Sequence, residues 1–177
     1  MPDGIMGGST EIPKIVFEAL ERGIHFDIGY GVNFSYSIAR KMMEADVLPN
    51  TIASDVHSDF NAYHDDSTLD YSLCGAMTRL WALGMPLADV IRRTTLNPSV
   101  ILREENEIGS LCVGSRADIT VLDRVAGPWP MTDSTGEVLT VEERLVPTLV
   151  IRKGRKIEPG KQLLRDVCNT RLSTAAE

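Results

Sequence analysis

Little in this 177-residue sequence points to a membrane, a nucleic acid or an oxidising compartment. The three cysteines, Cys74, Cys112 and Cys168, are far apart and lack C-x-x-C spacing, so the pattern suggests neither a disulfide framework nor a thiolate zinc site. They read as small buried hydrophobes, with Cys168 exposed near the end. No apolar run is long enough to span a bilayer, and "MPDGIMGGSTEIPK" has neither the basic nor the long apolar region of a signal peptide. Positive charge is also in deficit: 18 basic against 25 acidic residues give a net charge of -7. That balance argues against nucleic-acid or anionic-membrane surfaces as partners. The expectation is a cytoplasmic protein acting on a small molecule. With 43% apolar and 24% charged residues, the chain is globular, with room for one domain of ordinary size.

What is present is an alternation of helix and strand. After a glycine-rich start, Thr10 is placed to cap a helix through "EIPKIVFEALERG", with Pro13 in its first turn and Gly23 at its exit. The strand "IHFDIG" follows, then a helix in "SYSIARKMMEADV", then the strand "NTIASD". Strand, helix and strand in about thirty residues is the spacing of a parallel crossover unit, so this part is α/β. A long polar segment, "VHSDFNAYHDDSTLDYS", precedes the helical stretches "LCGAMTRLWALG" and "LADVIRRTTLNPSVILR", the second starting after Pro86. Further on, "EIGSLCVGSRADITVLDR" and "ERLVPTLVIRKGRKI" read as strand-turn-strand patterns, with "VAGPWPMTDSTGE" as a loop between them.

The stretch "PNTIASDVHSDF" holds the chemistry, because a short β-branched strand ends there on an acid. In parallel sheets, ligands bind at the carboxyl ends of the strands. Asp55 stands at that end, His57 lies two residues on, and Tyr30 sits just past the preceding strand, so three polar groups can converge. Carboxylate and imidazole are both zinc ligands, and a strand-end acid can serve as a base toward water. Alternatively, Asp55 caps a loop through backbone hydrogen bonds. His25 reads as a packing residue, His64 as a surface one, and Asp59, Asp65 and Asp66 as a solvated loop face.

Four motifs in order carry a resemblance. "RGIHFDIGYGVNFSYSIARKMMEADVLPNTIASDVHSD" resembles the seventh and eighth strand-helix units of the amidohydrolase superfamily, with the deacetylase and dihydroorotase-like metallohydrolases the nearest group. "LADVIRRTTLNPSVIL" resembles that family's T-x-N-P-A helix, and "EIGSLCVGSRADITVLD" its G-x-L-x-x-G-x-x-A-D tail. The resemblance implies that Asp55 is the catalytic acid of the last barrel strand, binding a divalent metal, zinc in the usual case, and shuttling a proton to the leaving nitrogen. It implies that His57 and Tyr30 line the substrate pocket. Tyr30 stands where the family usually has the histidine of G-H-G.

The fold expected is therefore α/β: a partial TIM-type (β/α)8 barrel, its last two strand-helix units, followed by a small β-sandwich appendage. Residues 1–103 would be the barrel portion, 104–158 the appendage and 159–177 a frayed or disordered tail. The family's H-x-H, bridging lysine and single histidines have no counterpart in the chain, so the expectation is the C-terminal part of a metal-dependent amidohydrolase, inactive by itself. The complete enzyme would hydrolyse non-peptide carbon-nitrogen or related ester bonds of a small molecule. A different reading is a non-catalytic interaction module that self-associates into homo-oligomers. A third is a small-molecule binding protein using Tyr30 and His57 without metal.

Overall fold

The structure, a computed structural model, describes Met6 and residues 11–30, 34–55 and 72–157. Helix α1 (Lys14–Glu21) starts after Pro13, whose fixed φ suits a helix start. Gly23 stands at its exit, bonded to the Leu20 carbonyl at 2.9 Å. Thr10, the expected cap, lies outside the described residues. Strand β1 (Asp27–Gly29), helix α2 (Tyr36–Glu44) and strand β2 (Thr51–Ala53) follow. β1 and β2 pair in parallel, with Asp27 opposite Thr51 and Gly29 opposite Ala53. The crossover unit predicted from spacing is therefore present, though both strands are only three residues long. His25 lies ahead of β1 and is exposed, contrary to the packing role expected of it.

Helix α3 (Leu73–Ala82) is capped by Ser72, whose hydroxyl accepts from the Gly75 amide at 3.0 Å. The stretch after Pro86, expected as one helix, is two: α4 (Leu87–Thr94) and α5 (Leu96–Leu102). Pro98 explains the break. In a continuous helix its ring would meet the Thr94 carbonyl and its missing N–H would leave that carbonyl without a partner. In the third position of α5 no intrahelical N–H is needed. The Thr94 and Thr95 hydroxyls donate to the Ile91 carbonyl at 2.9 and 2.7 Å, which favours ending the helix there. The kinked pair then reaches the segment before β2: Asn97 donates to the Asn50 carbonyl at 2.7 Å, and Arg93 to that of Pro49.

Strands β3 (Ile119–Thr132), β4 (Val138–Arg152) and β5 (Arg155–Ile157) form one antiparallel sheet in the order β3-β4-β5. Two expectations change here. Among the described residues the appendage is a single sheet and not a sandwich, and residues 108–118 are turns. Moreover, "VAGPWPMT" is strand, and only residues 133–137 turn. Its prolines are tolerated because, among the described residues, β3 pairs on one side only, and a register shift between Ala126 and Trp129 places Gly127-Pro128 in a bulge. The Trp129 indole closes that bulge by donating to the Val125 carbonyl at 3.0 Å. Cys112, expected to be buried, is exposed in the turn region, and Cys74 is half-buried.

One core joins these parts. Tyr30, Phe34, Tyr36, Ala39, Ile52, Leu80, Met85 and Val90 pack with Leu145 of β4. Burying each large apolar side chain contributes about 1.5–3 kcal/mol. Across the same seam, the Thr78 hydroxyl of α3 donates to the Cys74 carbonyl at 2.7 Å and accepts from the Leu145 amide at 3.0 Å. No described helix is long and apolar enough to cross a membrane.

Candidate active site

The carboxyl ends of β1 and β2 lie side by side, and the Tyr30 amide continues the ladder to the Ala53 carbonyl at 3.4 Å. Two residues beyond Ala53, the backbone curls at Asp55 into the left-handed region, with φ of 52°. Asx side chains visit this region more readily than others, yet a non-glycine residue there is uncommon and such conformations cluster at functional sites. The curl lays the Asp55 side chain across Gly29. A Cβ on Gly29 would stand 2.3 Å from the Asp55 Cβ and 2.9 Å from its Cγ, so only glycine at position 29 leaves room for the acid. Asp55 is exposed, as a group meeting a solute must be.

Beside it a cavity of about 260 Å³ is lined by Phe26, Ile28, Gly29, Phe34, Met42 and Asp55 among others. Its lining is largely apolar, with Asp27, Ser35 and Asp55 as polar exceptions. Asp27 is engaged at the side of the sheet, where it accepts from the Thr51 hydroxyl at 2.5 Å.

The other predicted site residues are placed differently. His57 lies outside the described residues, as do His64, Asp59, Asp65 and Asp66. Tyr30 follows β1 as expected, but it is 2% exposed and is not among the cavity's lining residues. Its hydroxyl donates to the Thr132 carbonyl, and the Arg79 guanidinium lies 3.5 Å from its ring centroid. Arg79 itself is fully buried and reaches the same carbonyl at 3.4 Å. A guanidinium tolerates such a place because its flat, weakly hydrated face stacks on an aromatic ring. Neither Arg79 nor Gly29 was singled out from the sequence. The signal for Arg79 was a lone cation in the apolar run "AMTRLWAL", and for Gly29 a glycine ending a strand.

Next to Tyr30, the ring of Phe34 meets that of Tyr36 edge-on at 5.4 Å. Burial raises the Tyr36 hydroxyl above its ordinary pKa, the Arg79 cation works against this, and the Asp133 and Glu137 carboxylates add to it. Among the described residues no three His, Cys, Asp or Glu side chains gather where they could hold a metal ion. Asp55 alone is one donor, whereas a catalytic zinc takes about three from the protein. The described donor set therefore does not by itself fit a metal.

Comparison with known proteins shows which family shares this sequence and fold. The amidohydrolase family matches residues 14–157. A deacetylase of Brucella anthropi is 30% identical over 168 residues, covering 92% of this chain and 40% of the relative. A deacetylase of Agrobacterium fabrum gives the same identity and coverage. The chain thus spans about 40% of the length of these relatives. Among solved structures, an adenine deaminase superposes with a TM-score of 0.78 at 24% identity, over 90% of this chain and 42% of that one. A dihydroorotase superposes with a TM-score of 0.69 at 30% identity, over 82% of this chain and 38% of its own length.

Proposed function

The chain belongs to the amidohydrolase family, and from that premise we propose that it is the C-terminal part of a hydrolase cleaving a non-peptide carbon-nitrogen or related ester bond of a small molecule. In this reading the parallel pair β1–β2 is the last portion of a barrel whose other strands lie outside the described residues. Asp55 is the residue at the reacting centre. The observation that carries the reading is the curl at Asp55, a left-handed acid seated over Gly29 at the carboxyl end of a parallel strand.

A carboxylate so placed can take a proton from an attacking water and return it to the departing nitrogen, the work of a general base and acid. Deacetylases and a dihydroorotase among the similar proteins favour an amide, acyclic or cyclic, as the bond. The family generally uses a divalent metal, and zinc is the metal proposed. Its remaining donors would have to come from beyond the described residues. By itself the 177-residue chain is expected to be inactive.

The test is complementation. The chain is co-expressed with the portion of the Agrobacterium deacetylase that it does not cover, and acetate release from N-acetyl compounds and ring opening of cyclic amides are assayed. Activity is expected in the reassembled enzyme, with Asp55→Asn lowering turnover by about a hundredfold or more while the fold persists. An Asp55→Asn variant with normal turnover would remove Asp55 from the chemistry. The alternative, an association module, draws on Leu102, Leu111 and Val113, which are 62%, 79% and 106% exposed. Such side chains favour contact with more polypeptide.

A further inference from the structure

We infer that the turn of the β3–β4 hairpin is a clamp that sets the wall of the candidate site, with Asp133 as its positioning residue. The first turn of any α-helix leaves N–H groups without intrahelical partners. In α2 the preceding Ser35 offers no side-chain cap. The acceptor comes instead from 97 residues away: Asp133 Oδ2 accepts from the Tyr36 amide at 2.8 Å. Its other oxygen, Oδ1, accepts from the Thr135 amide and hydroxyl, each at 2.8 Å, and from the Glu137 amide at 2.9 Å. The carboxylate is 1% exposed. One oxygen folds its own turn, and the other holds a helix of the opposite half.

The surrounding contacts repeat the connection. The Ser134 amide donates to the Phe34 carbonyl at 2.9 Å, and the Ser134 hydroxyl donates to the same oxygen. Tyr36 donates its hydroxyl to the Met131 carbonyl at 3.0 Å, Tyr30 its own to Thr132, and Arg40 pairs with Glu137 at 2.7 Å. Phe34 and Ser35 line the same cavity as Gly29 and Asp55. The hairpin therefore fixes where that wall stands, whatever reaction the site performs. A negative group at a helix start is also favoured by the helix dipole, which suits a carboxylate better than an amide here.

The test separates the two oxygens. Asp133→Asn is isosteric but retains one acceptor oxygen. Three donors favour the turn side and one the helix side, so the amide oxygen stays with Thr135 and Glu137 while its NH₂ faces the Tyr36 amide. In amide exchange of the 15N-labelled 177-residue chain, Tyr36 is expected to exchange about tenfold faster, the loss of one charge-assisted hydrogen bond. The Thr135 and Glu137 amides should stay within about twofold, since their bonds persist. The Gly29, Ser35 and Asp55 resonances should shift, a change that a residue serving only its own turn would not produce. Ser134→Ala, a gentler change that keeps the turn, should accelerate Tyr36 by about threefold through loss of one neutral bond. Unchanged exchange at Tyr36 in either variant overturns the clamp. So do site resonances that stay put in Asp133→Asn, or acceleration of all three amides together, which would make Asp133 a turn residue only.

Discussion

The two sheets differ in how they are closed. β3 and β4 are 14 and 15 residues long and are joined by a five-residue turn, so their ladder grows outward from that turn between strands consecutive in sequence. β1 and β2 are three residues each, parallel, and among the described residues pair only with each other. A parallel pair needs a crossover to connect it and helices to cover it. The hairpin is thus a nearly self-contained unit, whereas the pair that carries Asp55 depends on what packs around it. The site sits on the dependent half, and the self-contained half reaches across to hold it.

The largest effect should come from the seam between them. Leu80 on α3 is 2% exposed and packs in the core shared by both halves. Leu80→Ala should cost about 2–5 kcal/mol, transfer and cavity together. Urea unfolding followed by far-UV and by tyrosine signals measures it. If the halves are one cooperative unit, both signals move together at unchanged slope. Separate transitions would show that the hairpin stands alone and that the shared core is weaker than its burial suggests.

That asymmetry also governs what could be read from the sequence. The crossover unit was legible because strand, helix and strand each carried their own period, and the acid ending "TIASD" marked Asp55. The long β3 was not, because "GPWP" spells a loop locally; only the bulge and the unpaired edge of the sheet make it a strand. The break at Thr95 could have been found from Pro98 three residues on. What no local pattern could supply was contact between residues distant in the chain: Tyr30 under Arg79, and Asp133 at the start of α2. Those contacts turned Tyr30 toward the hairpin and away from the cavity expected for it.

Second in size is the fit of Gly29 under Asp55. Gly29→Ala places a Cβ within 2.3 Å of the Asp55 Cβ, an overlap that a rotamer change cannot relieve because both atoms are fixed to the backbone. The expected cost is about 1–3 kcal/mol. Adding Asp55→Gly removes the clashing side chain and the left-handed constraint, so the double variant should regain most of the loss. The cycle of denaturation midpoints would count against the proposed seating of the acid if the two changes were simply additive.

A smaller effect is expected at alkaline pH. Burial holds the Tyr36 hydroxyl above its ordinary value, so the folded state binds that proton more tightly than the unfolded chain does. The associated stability is complete below the unfolded value of about 10 and is lost as pH rises through the folded one. Tyr36→Phe lacks the ionisation. Its midpoint should start lower, having lost the bond to Met131, and fall less than that of the parent between about pH 8 and about pH 11. Parallel curves would place the hydroxyl outside the buried seam.

The smallest effect tests the crossover at the exit of α2. The helix closes with the Asp46 amide on the Met43 carbonyl at 3.0 Å and the Val47 amide on that of Met42 at 2.8 Å, which obliges Asp46 to adopt φ of 57°. Helix α3 ends with the same pair of bonds, but there the left-handed residue is Gly84. Asp46 is exposed and has two disadvantages: its Cβ is strained in this region, and its charge lies at the negative end of the helix dipole. Asp46→Gly relieves both, against the greater freedom glycine gives the unfolded chain, leaving a net gain of about 0.5 kcal/mol. Asp46→Asn removes the charge and keeps the Cβ, so it should gain about 0.3 kcal/mol. Urea midpoints at constant slope resolve the order glycine, asparagine, aspartate. A loss of stability in both variants would mean that the carboxylate has a favourable partner, and that the dependent half is tied down at this corner as well as at the clamp.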